Sequence, residues 1–246
     1  MWRYEPPLRD MRFVIEELLQ APAQWSGLAA FADLDVGTAR SVLDEAGRFA
    51  AEVLAPTNAD GDRHGCQWHE GRVSTPPGFR DAYRAYCDGG WPALACDPAW
   101  GGQGLPKLLQ VALTEMLNSA NHAWNMYAGI AHGAYETLRA HATPELQQRY
   151  LPRIVSGEWL ATMCLTEAHA GTDLGLLRTR ADPVDASPRS GSEVRVTGSK
   201  IFISGGEHDL TTNIVHLVLA RLPGAPVGSK GITLVLVPRL LPDGAP

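Results

Sequence analysis

The stretch Met-Cys-Leu-Thr-Glu-Ala-His-Ala-Gly-Thr-Asp, residues 163–173, is where an apolar run changes abruptly into a polar turn. The run that enters it, from Trp159 to Leu165, is typical of a buried strand. Two hydroxyls and two carboxylates follow at residues 166–173. Loops on a rigid scaffold carry much of the binding chemistry of proteins, so this strand end is predicted to hold a ligand.

Composition places the chain among globular proteins and argues against several other classes. Its 246 residues include 45% hydrophobic and 20% charged residues, with a net charge of −6. A negative charge without basic runs argues against a nucleic-acid partner. Residues 1–10 lack the apolar core of a signal peptide, and the apolar runs are too short to span a bilayer. The four scattered cysteines form no disulfide framework, so we expect a cytoplasmic protein.

Helical periodicity dominates the first part of the chain. Apolar spacing predicts helices over residues 11–21, 38–54, 77–90, 107–120, 123–141 and from Thr143 to beyond Leu151. Thr143 is predicted to be an N-cap, because Pro144 and Glu145 follow it. The stretch from Asn58 to Gly78 is rich in glycine, proline and polar residues and is predicted to be a long loop.

Two histidine-containing features of this helical part are predicted to be structural. His64, Cys66 and His69 lack a second ligand pair at zinc spacing, so we predict no metal site there. His132 lies in a helix rich in small residues, and we interpret it as a packing residue rather than a ligand or a base.

After Gly157 the pattern becomes typical of short strands separated by turns. The predicted strands are Trp159–Leu165, Leu176–Ala181, Glu193–Thr197, Lys200–Ser204, Asn213–Arg221 and Gly231–Pro238. We therefore predict an α+β fold. A helical domain covers residues 1–158, and a small antiparallel β-barrel or sheet domain covers residues 159–246.

Several separated motifs, taken in order, resemble those of the acyl-CoA dehydrogenase family. They are the glycine turn at 98–104, the Leu-Pro and Gly-Glu step at 151–158, the Leu-Thr-Glu and Ala-Gly-Thr-Asp loop at 165–173, and the Lys-Ile-Phe-Ile-Ser segment at 200–204. Together they cover essentially the whole chain. The extended N-terminus and residues 213–221 resemble the larger subfamily that includes methylmercaptopropionyl-CoA dehydrogenases.

The resemblance implies an FAD cofactor and an acyl-CoA substrate. The residues implied to line the flavin are Met163, Leu165, Thr166, Phe202 and Ser204. Gly171 and Thr172 are implied to lie beside the pantetheine of the acyl-CoA. The implied reaction is α,β-dehydrogenation of the thioester with hydride transfer to FAD.

The family's catalytic glutamate comes from a C-terminal helical domain that the resemblance does not reach, so we name no catalytic base. We expect the chain to be inactive or weakly active alone, and to form a homo-oligomer or to associate with that domain. One alternative is a non-catalytic binding module or a pairing subunit of a full-length dehydrogenase, with an exposed apolar face on helices 107–141. An oxygen-using acyl-CoA oxidase is also compatible with the same motifs.

Overall fold

The computed structural model describes residues 3–241, and the chain divides into two compact units. The first unit ends at Met126 and the second begins at Tyr127. The boundary between the two units lies inside the long helix Lys107–His141. The domain boundary predicted at residue 158 stays a prediction. The α+β class is confirmed, because helices dominate the first part of the chain and a sheet follows.

Helices form most of the first unit. They are α1 (Leu8–Arg12), α2 (Ala21–Ser26), α3 (Val36–Arg48), α4 (Pro56–His64), α5 (Phe79–Asp88) and the first part of α6 (Lys107–His141). α1 and α3 each continue into a π-helical segment, Phe13–Leu18 and Phe49–Leu54. Asp35 caps α3 by accepting a 2.9 Å hydrogen bond from the Thr38 amide.

The prediction of a long loop over residues 58–78 is wrong. α4 covers Pro56–His64, and a hairpin of β1 (Gln67–His69) and β2 (Arg72–Ser74) follows it. Pro56 lies in the first turn of α4, where a proline is tolerated because the N–H that it lacks would have no intrahelical acceptor.

An aromatic cluster forms the core of the first unit. Phe49, Tyr83 and Tyr86 pack with Trp124, and Trp91 packs with Phe49, with ring centroids of neighbouring pairs 5.4–6.4 Å apart. The indole of Trp124 is fully buried, and its N–H donates to the Phe79 carbonyl at 3.1 Å. Burying ring area while pairing the one polar atom makes such a cluster strongly stabilising.

α6 is interrupted at Asn121, whose φ and ψ of −159° and 92° are not helical. The Asn121 side chain accepts from the Trp124 amide at 3.0 Å and donates to the Thr57 hydroxyl at 3.0 Å. It therefore caps a new helical start, which agrees with the two predicted segments at 107–120 and 123–141. Among the large apolar side chains of α6, Val111 is exposed, at 60%.

The glycine cluster at 101–104 forms a tight turn, as predicted. The Gly102 amide donates to the Asp97 carbonyl at 3.0 Å, and the Gly104 amide donates to the Cys96 carbonyl at 2.9 Å. A Cβ at position 102 would lie 2.0 Å from the Cys96 carbonyl oxygen, so only glycine fits there.

The second unit contains the end of α6, α7 (Pro144–Val155) and a mixed sheet. Thr143 caps α7, as predicted, by accepting from the Leu146 amide at 3.5 Å. The strands are β3 (Trp159–Cys164), β4 (Arg180–Pro183), β5 (Val194–Thr197), β6 (Asn213–Arg221) and β7 (Ile232–Pro238). β6 is central, with β7 along one edge and β3 and β4 along the other.

The prediction of a purely antiparallel sheet is wrong for two strand pairs. β4 pairs with β5 and β6 pairs with β7 in antiparallel fashion. However, β3 and β6 run parallel, from Trp159 opposite Asn213 to Cys164 opposite Val218, and β4 also runs parallel to β6, with Arg180 opposite Arg221. A parallel pair needs a long crossover, and residues 165–212 provide one. The strand predicted at Leu176–Ala181 begins only at Arg180.

The prediction of a strand at Lys200–Ser204 is also wrong, because no strand covers these residues. Phe202 has a φ of 57°, in the left-handed region that strands do not use. No helix within residues 3–241 is long and apolar enough to cross a membrane.

Candidate functional site

The loop that leaves β3 folds back on itself directly after Thr166. The Glu167 amide donates to the Ala170 carbonyl at 2.9 Å, and the Ala170 amide donates to the Glu167 carbonyl at 3.1 Å. Further along, an Asp173 carboxylate oxygen accepts from the Gly175 amide at 2.9 Å. The backbone of Glu167 and the carboxylate of Asp173 thus both hold the loop in shape.

The Glu167 carboxylate is the buried anchor of this loop, with 4% of the residue exposed. One oxygen accepts from the Thr179 amide at 3.0 Å, the Thr179 hydroxyl at 2.6 Å and the Lys200 ammonium at 2.9 Å. The other oxygen accepts from the Arg178 amide at 2.7 Å. Hydrogen bonds at these distances saturate most of the acceptor capacity of a carboxylate.

These contacts fix the charge state of Glu167. Burial alone raises the pKa of a carboxyl group, but hydrogen bonds from Thr179, Arg178 and Lys200 outweigh burial and lower the pKa of Glu167 to about 2. Glu167 is therefore ionised at neutral pH and held by its donors.

Lys200 joins the loop after β3 to the segment that contains Phe202. Besides its ion pair with Glu167, its ammonium donates to the Leu165 carbonyl at 2.9 Å. Next to it, the Ile201 amide donates to the Thr166 carbonyl at 2.9 Å. The two motifs that sequence analysis paired are therefore adjacent, and they are connected by main-chain and charge contacts rather than by a strand ladder.

The contacts of Lys200 and Ile201 hold the backbone next to Phe202, and the Phe202 side chain is exposed to solvent. It is 88% exposed, and its positive φ is a conformation that costs a bulky residue free energy. Ser204, two residues further, is also exposed. Strained backbone conformations cluster at functional sites, so the exposed ring of Phe202 marks a candidate surface for a ligand.

The remaining predicted flavin residues lie at the end of β3 and just after it. Met163 is the half-buried position in an otherwise buried β3, and Leu165 and Thr166 are half-buried as well. Within residues 3–241, the hydroxyls of Thr166 and Ser204 make no hydrogen bond, so both remain able to bind a ligand.

The two predicted substrate residues adjoin the same surface. A Cβ at Gly171 would lie 4.0 Å from the Thr166 methyl, which places Gly171 next to Thr166. Gly171 and Thr172 are both exposed. Residues predicted for the flavin and for the substrate are therefore neighbours, and their roles stay predictions.

A polar cluster of the second unit was not identified from the sequence. The Thr162 hydroxyl lies 2.7 Å from His216 Nδ1, on the paired strands β3 and β6. His208 is buried, its Nδ1 accepts from the Leu210 amide at 3.2 Å, and burial lowers its pKa to about 4. These imidazoles are packed neutral groups, and sequence spacing alone gives no signal for them.

The other histidines considered at the sequence level form no metal site in the described part of the chain. No group of three or more His, Cys, Asp or Glu residues within residues 3–241 is placed to hold a metal ion. His132 is half-buried and stacks on Tyr135, with ring centroids 6.0 Å apart.

Comparison with known proteins decides the family. A family model for the acyl-CoA dehydrogenase N-terminal domain matches residues 37–158. The chain is also 41% identical, over 97% of its length, to 3-methylmercaptopropionyl-CoA dehydrogenase of Ruegeria pomeroyi. The chain belongs to the acyl-CoA dehydrogenase family. It spans about 40% of the length of that relative.

Solved structures of the acyl-CoA dehydrogenase fold agree with this assignment. Glutaryl-CoA dehydrogenase from Mycobacterium smegmatis aligns with a TM-score of 0.63 at 20% identity, covering 87% of this chain and 48% of that one. The FAD complex of PigA aligns with a TM-score of 0.61 at 19% identity, covering 83% and 48%. At such identities the likeness concerns the fold.

Lys200 was not identified from the sequence as a residue of the candidate site. A signal was present, since a lysine two residues before Phe202 and a glutamate directly after Thr166 suggest an ion pair between the two motifs. Without a structure, nothing distinguished this pair from two solvated surface charges.

Proposed function

We propose that this chain provides the FAD- and acyl-CoA-binding part of a dehydrogenase that acts on the Cα–Cβ bond of an acyl-CoA thioester. The observation that carries the proposal is the exposed, strained Phe202, held beside the β3 loop by Lys200 and the Ile201–Thr166 hydrogen bond. A polar turn and an apolar ring on one surface suit the two edges of an isoalloxazine.

The residues of this surface fit a flavin chemically. Phe202 would cover a ring face, Met163 and Leu165 would supply apolar contact, and the free hydroxyls of Thr166 and Ser204 would bind polar edge atoms. When bound, FAD supplies an acceptor for the hydride that leaves Cβ of the substrate. The chain's own contribution is to bind the ring, orient it and exclude water from one side.

The acyl-CoA side of the proposal rests on Gly171 and Thr172. Both are exposed, and Gly171 adjoins Thr166, so a thioester bound along this loop would pass beside the flavin surface. The relative of 41% identity is named for 3-methylmercaptopropionyl-CoA, an acyl-CoA thioester. We propose this general class of substrate and no particular acyl group.

We propose further that the 246-residue polypeptide does not turn over by itself. The two carboxylates of the loop after β3 already have hydrogen-bond partners, because Glu167 accepts from Lys200, Thr179 and the Arg178 amide, and Asp173 accepts from the Gly175 amide. A base must reach the α-proton within hydrogen-bond distance, and a carboxylate with a pKa of about 2 is a weak base. The base would come from another segment or subunit.

Binding of FAD tests the first part of the proposal. The polypeptide should quench flavin fluorescence with a 1:1 stoichiometry, and Phe202→Ala should weaken binding about 10- to 100-fold through lost ring contact. Trp68→Ala is the matched control, since this aromatic residue is also exposed (74%) but lies on the β1–β2 hairpin. Equal losses in both variants, or no FAD binding by the wild type, would refute the proposal.

Flavin bleaching tests the second part. The FAD-loaded polypeptide is mixed anaerobically with butyryl-CoA, and absorbance near the flavin maximum is followed. We expect no bleaching on the timescale of enzyme turnover. Full bleaching at an enzyme-like rate would show that this chain contains its own base.

The last part of the proposal concerns the oligomeric state of the chain and its cellular compartment. We propose a cytoplasmic homo-oligomer, or a complex with the polypeptide that supplies the base. Within residues 3–241, no disulfide joins any of the four cysteines, Cys66, Cys87, Cys96 and Cys164, which supports a reducing compartment. Light scattering after gel filtration tests the assembly, and a monodisperse monomer that recruits no partner would contradict it.

A further inference from the structure

Arg221, the last residue of β6, binds four main-chain oxygens and joins two loops. Its Nε donates to the Leu177 carbonyl at 3.0 Å, and Nη1 donates to Pro226 at 3.0 Å. Its Nη2 donates to Gly175 at 2.5 Å and to Gly228 at 2.8 Å. A guanidinium has five N–H groups in a rigid fork, so one side chain can satisfy all four acceptors.

The four acceptors belong to two separate loops. Leu177 and Gly175 end the loop that follows β3, whereas Pro226 and Gly228 lie in the connection between β6 and β7. The loops touch closely, because a Cβ at Gly175 would lie 3.4 Å from the Gly228 Cα. At Gly231 a Cβ would lie 1.8 Å from the Pro226 carbonyl oxygen, so the close packing within the second loop requires glycine there.

This arrangement bears directly on Gly171 and Thr172. The Glu167–Ala170 bridge holds the chain just before them, and the Gly175 and Leu177 carbonyls bound by Arg221 hold it just after. Both residues themselves are exposed and carry no such anchor. The position of Gly171 and Thr172 is thus determined by the contacts of the residues before and after them.

We infer that Arg221 is a positioning residue for acyl-CoA: it fixes the Gly171–Thr172 turn against the 222–231 loop and so sets the binding surface for the thioester chain. This inference rests on the proposed function. It assigns Arg221 no contact with the flavin, whose surface is held by the separate Lys200 contacts.

Two variants and one control test the inference. Arg221→Ala removes all four donors, and Arg221→Lys keeps a cation with three N–H donors on a flexible stem. Arg180→Ala is the control, since Arg180 is the register partner of Arg221 on β4 but is exposed and pairs with Asp182 at 2.8 Å. Each protein is measured for amide hydrogen exchange and for affinity towards FAD and butyryl-CoA.

We expect Arg221→Ala to raise exchange about tenfold in residues 171–177 and 224–231 together, because both loops lose their shared anchor. Affinity for butyryl-CoA should fall about tenfold, whereas FAD affinity should stay within about twofold. Arg221→Lys should give intermediate values, and Arg180→Ala should match the wild type. If the alanine variant does not fold, the lysine variant carries the comparison.

Unchanged exchange in either loop, or equal losses of FAD and butyryl-CoA affinity, would overturn the inference. Absence of butyryl-CoA binding by a wild type that binds FAD would also overturn it. Absence of FAD binding by the wild type would instead refute the proposed function, and the exchange data would still decide whether Arg221 anchors both loops.

Discussion

The candidate site has an inner and an outer region that differ in almost every physical respect. The inner region consists of Glu167, Thr179 and Lys200, which are buried or nearly so and linked by hydrogen bonds of 2.6–3.0 Å. The outer region consists of Phe202 and Ser204, which are exposed and make no hydrogen bond through their side chains within the described residues.

Because of this difference, we expect the inner region to determine the stability of the site and the outer region to determine its affinity for a ligand. Removing one partner from a buried ion pair leaves an uncompensated charge, so substitutions in the inner region should unfold or loosen the site. Exposed side chains without partners contribute little to folding, so substitutions in the outer region should change ligand affinity alone. The stable contacts of the inner region can offset the free-energy cost of the strained backbone at Phe202.

Breaking the inner region should have the largest effect. We expect Glu167→Gln to lower the free energy of unfolding by about 3–5 kcal/mol, because the buried Lys200 ammonium loses its counter-charge. Denaturant unfolding followed by circular dichroism measures this change.

Glu158→Gln is the matched control for that experiment. Glu158 pairs with Arg153 at 2.7 Å, but both side chains are substantially exposed, so the loss should stay below about 1 kcal/mol. Similar losses in the two variants would show that burial does not distinguish the inner region.

Acid should weaken the inner region in a defined pH window. The folded pKa of Glu167 is lowered to about 2 from an ordinary value of 4.5, so its contribution is complete above pH 4.5 and is lost as pH falls towards 2. The contribution is about 3 kcal/mol. Unfolding free energies measured across this window should fall more steeply for the wild type than for Glu167→Gln, and equal slopes would contradict the assignment.

The outer region should show the smallest effect on stability. Ser204→Ala removes an exposed hydroxyl without a partner, so the free energy of unfolding should change by less than about 0.5 kcal/mol. FAD affinity should fall about fivefold, since one hydrogen bond to the ligand is lost. A large loss of stability in this variant would mean that Ser204 belongs to the inner region.

Elements with strong local signals could be predicted from the sequence. β6 was predicted with its observed bounds, Asn213–Arg221, because a run of apolar and β-branched residues is bounded by turns. The Thr143 cap and the break in α6 near Asn121 follow from cap and turn chemistry that acts within a few residues.

Features set by distant contacts could not be predicted. The alternating pattern of Lys200–Ser204 favours a strand, yet the segment has a positive φ at Phe202 and is held by Leu165, Thr166 and Glu167. Arg221 contacts Leu177 and Gly175, which lie 44 and 46 residues earlier in the sequence, and no local pattern records such contacts. The pairing of the two site motifs itself came from the family resemblance.

Amide hydrogen exchange with and without FAD tests the central claim most directly, namely that one flavin is held by the β3 loop and the Phe202 segment together. We expect FAD to slow exchange in residues 163–172 and in residues 201–205, and to leave the β1–β2 hairpin at 67–74 unchanged. Protection of only one of the two segments, or protection that Phe202→Ala does not diminish, would contradict the claim.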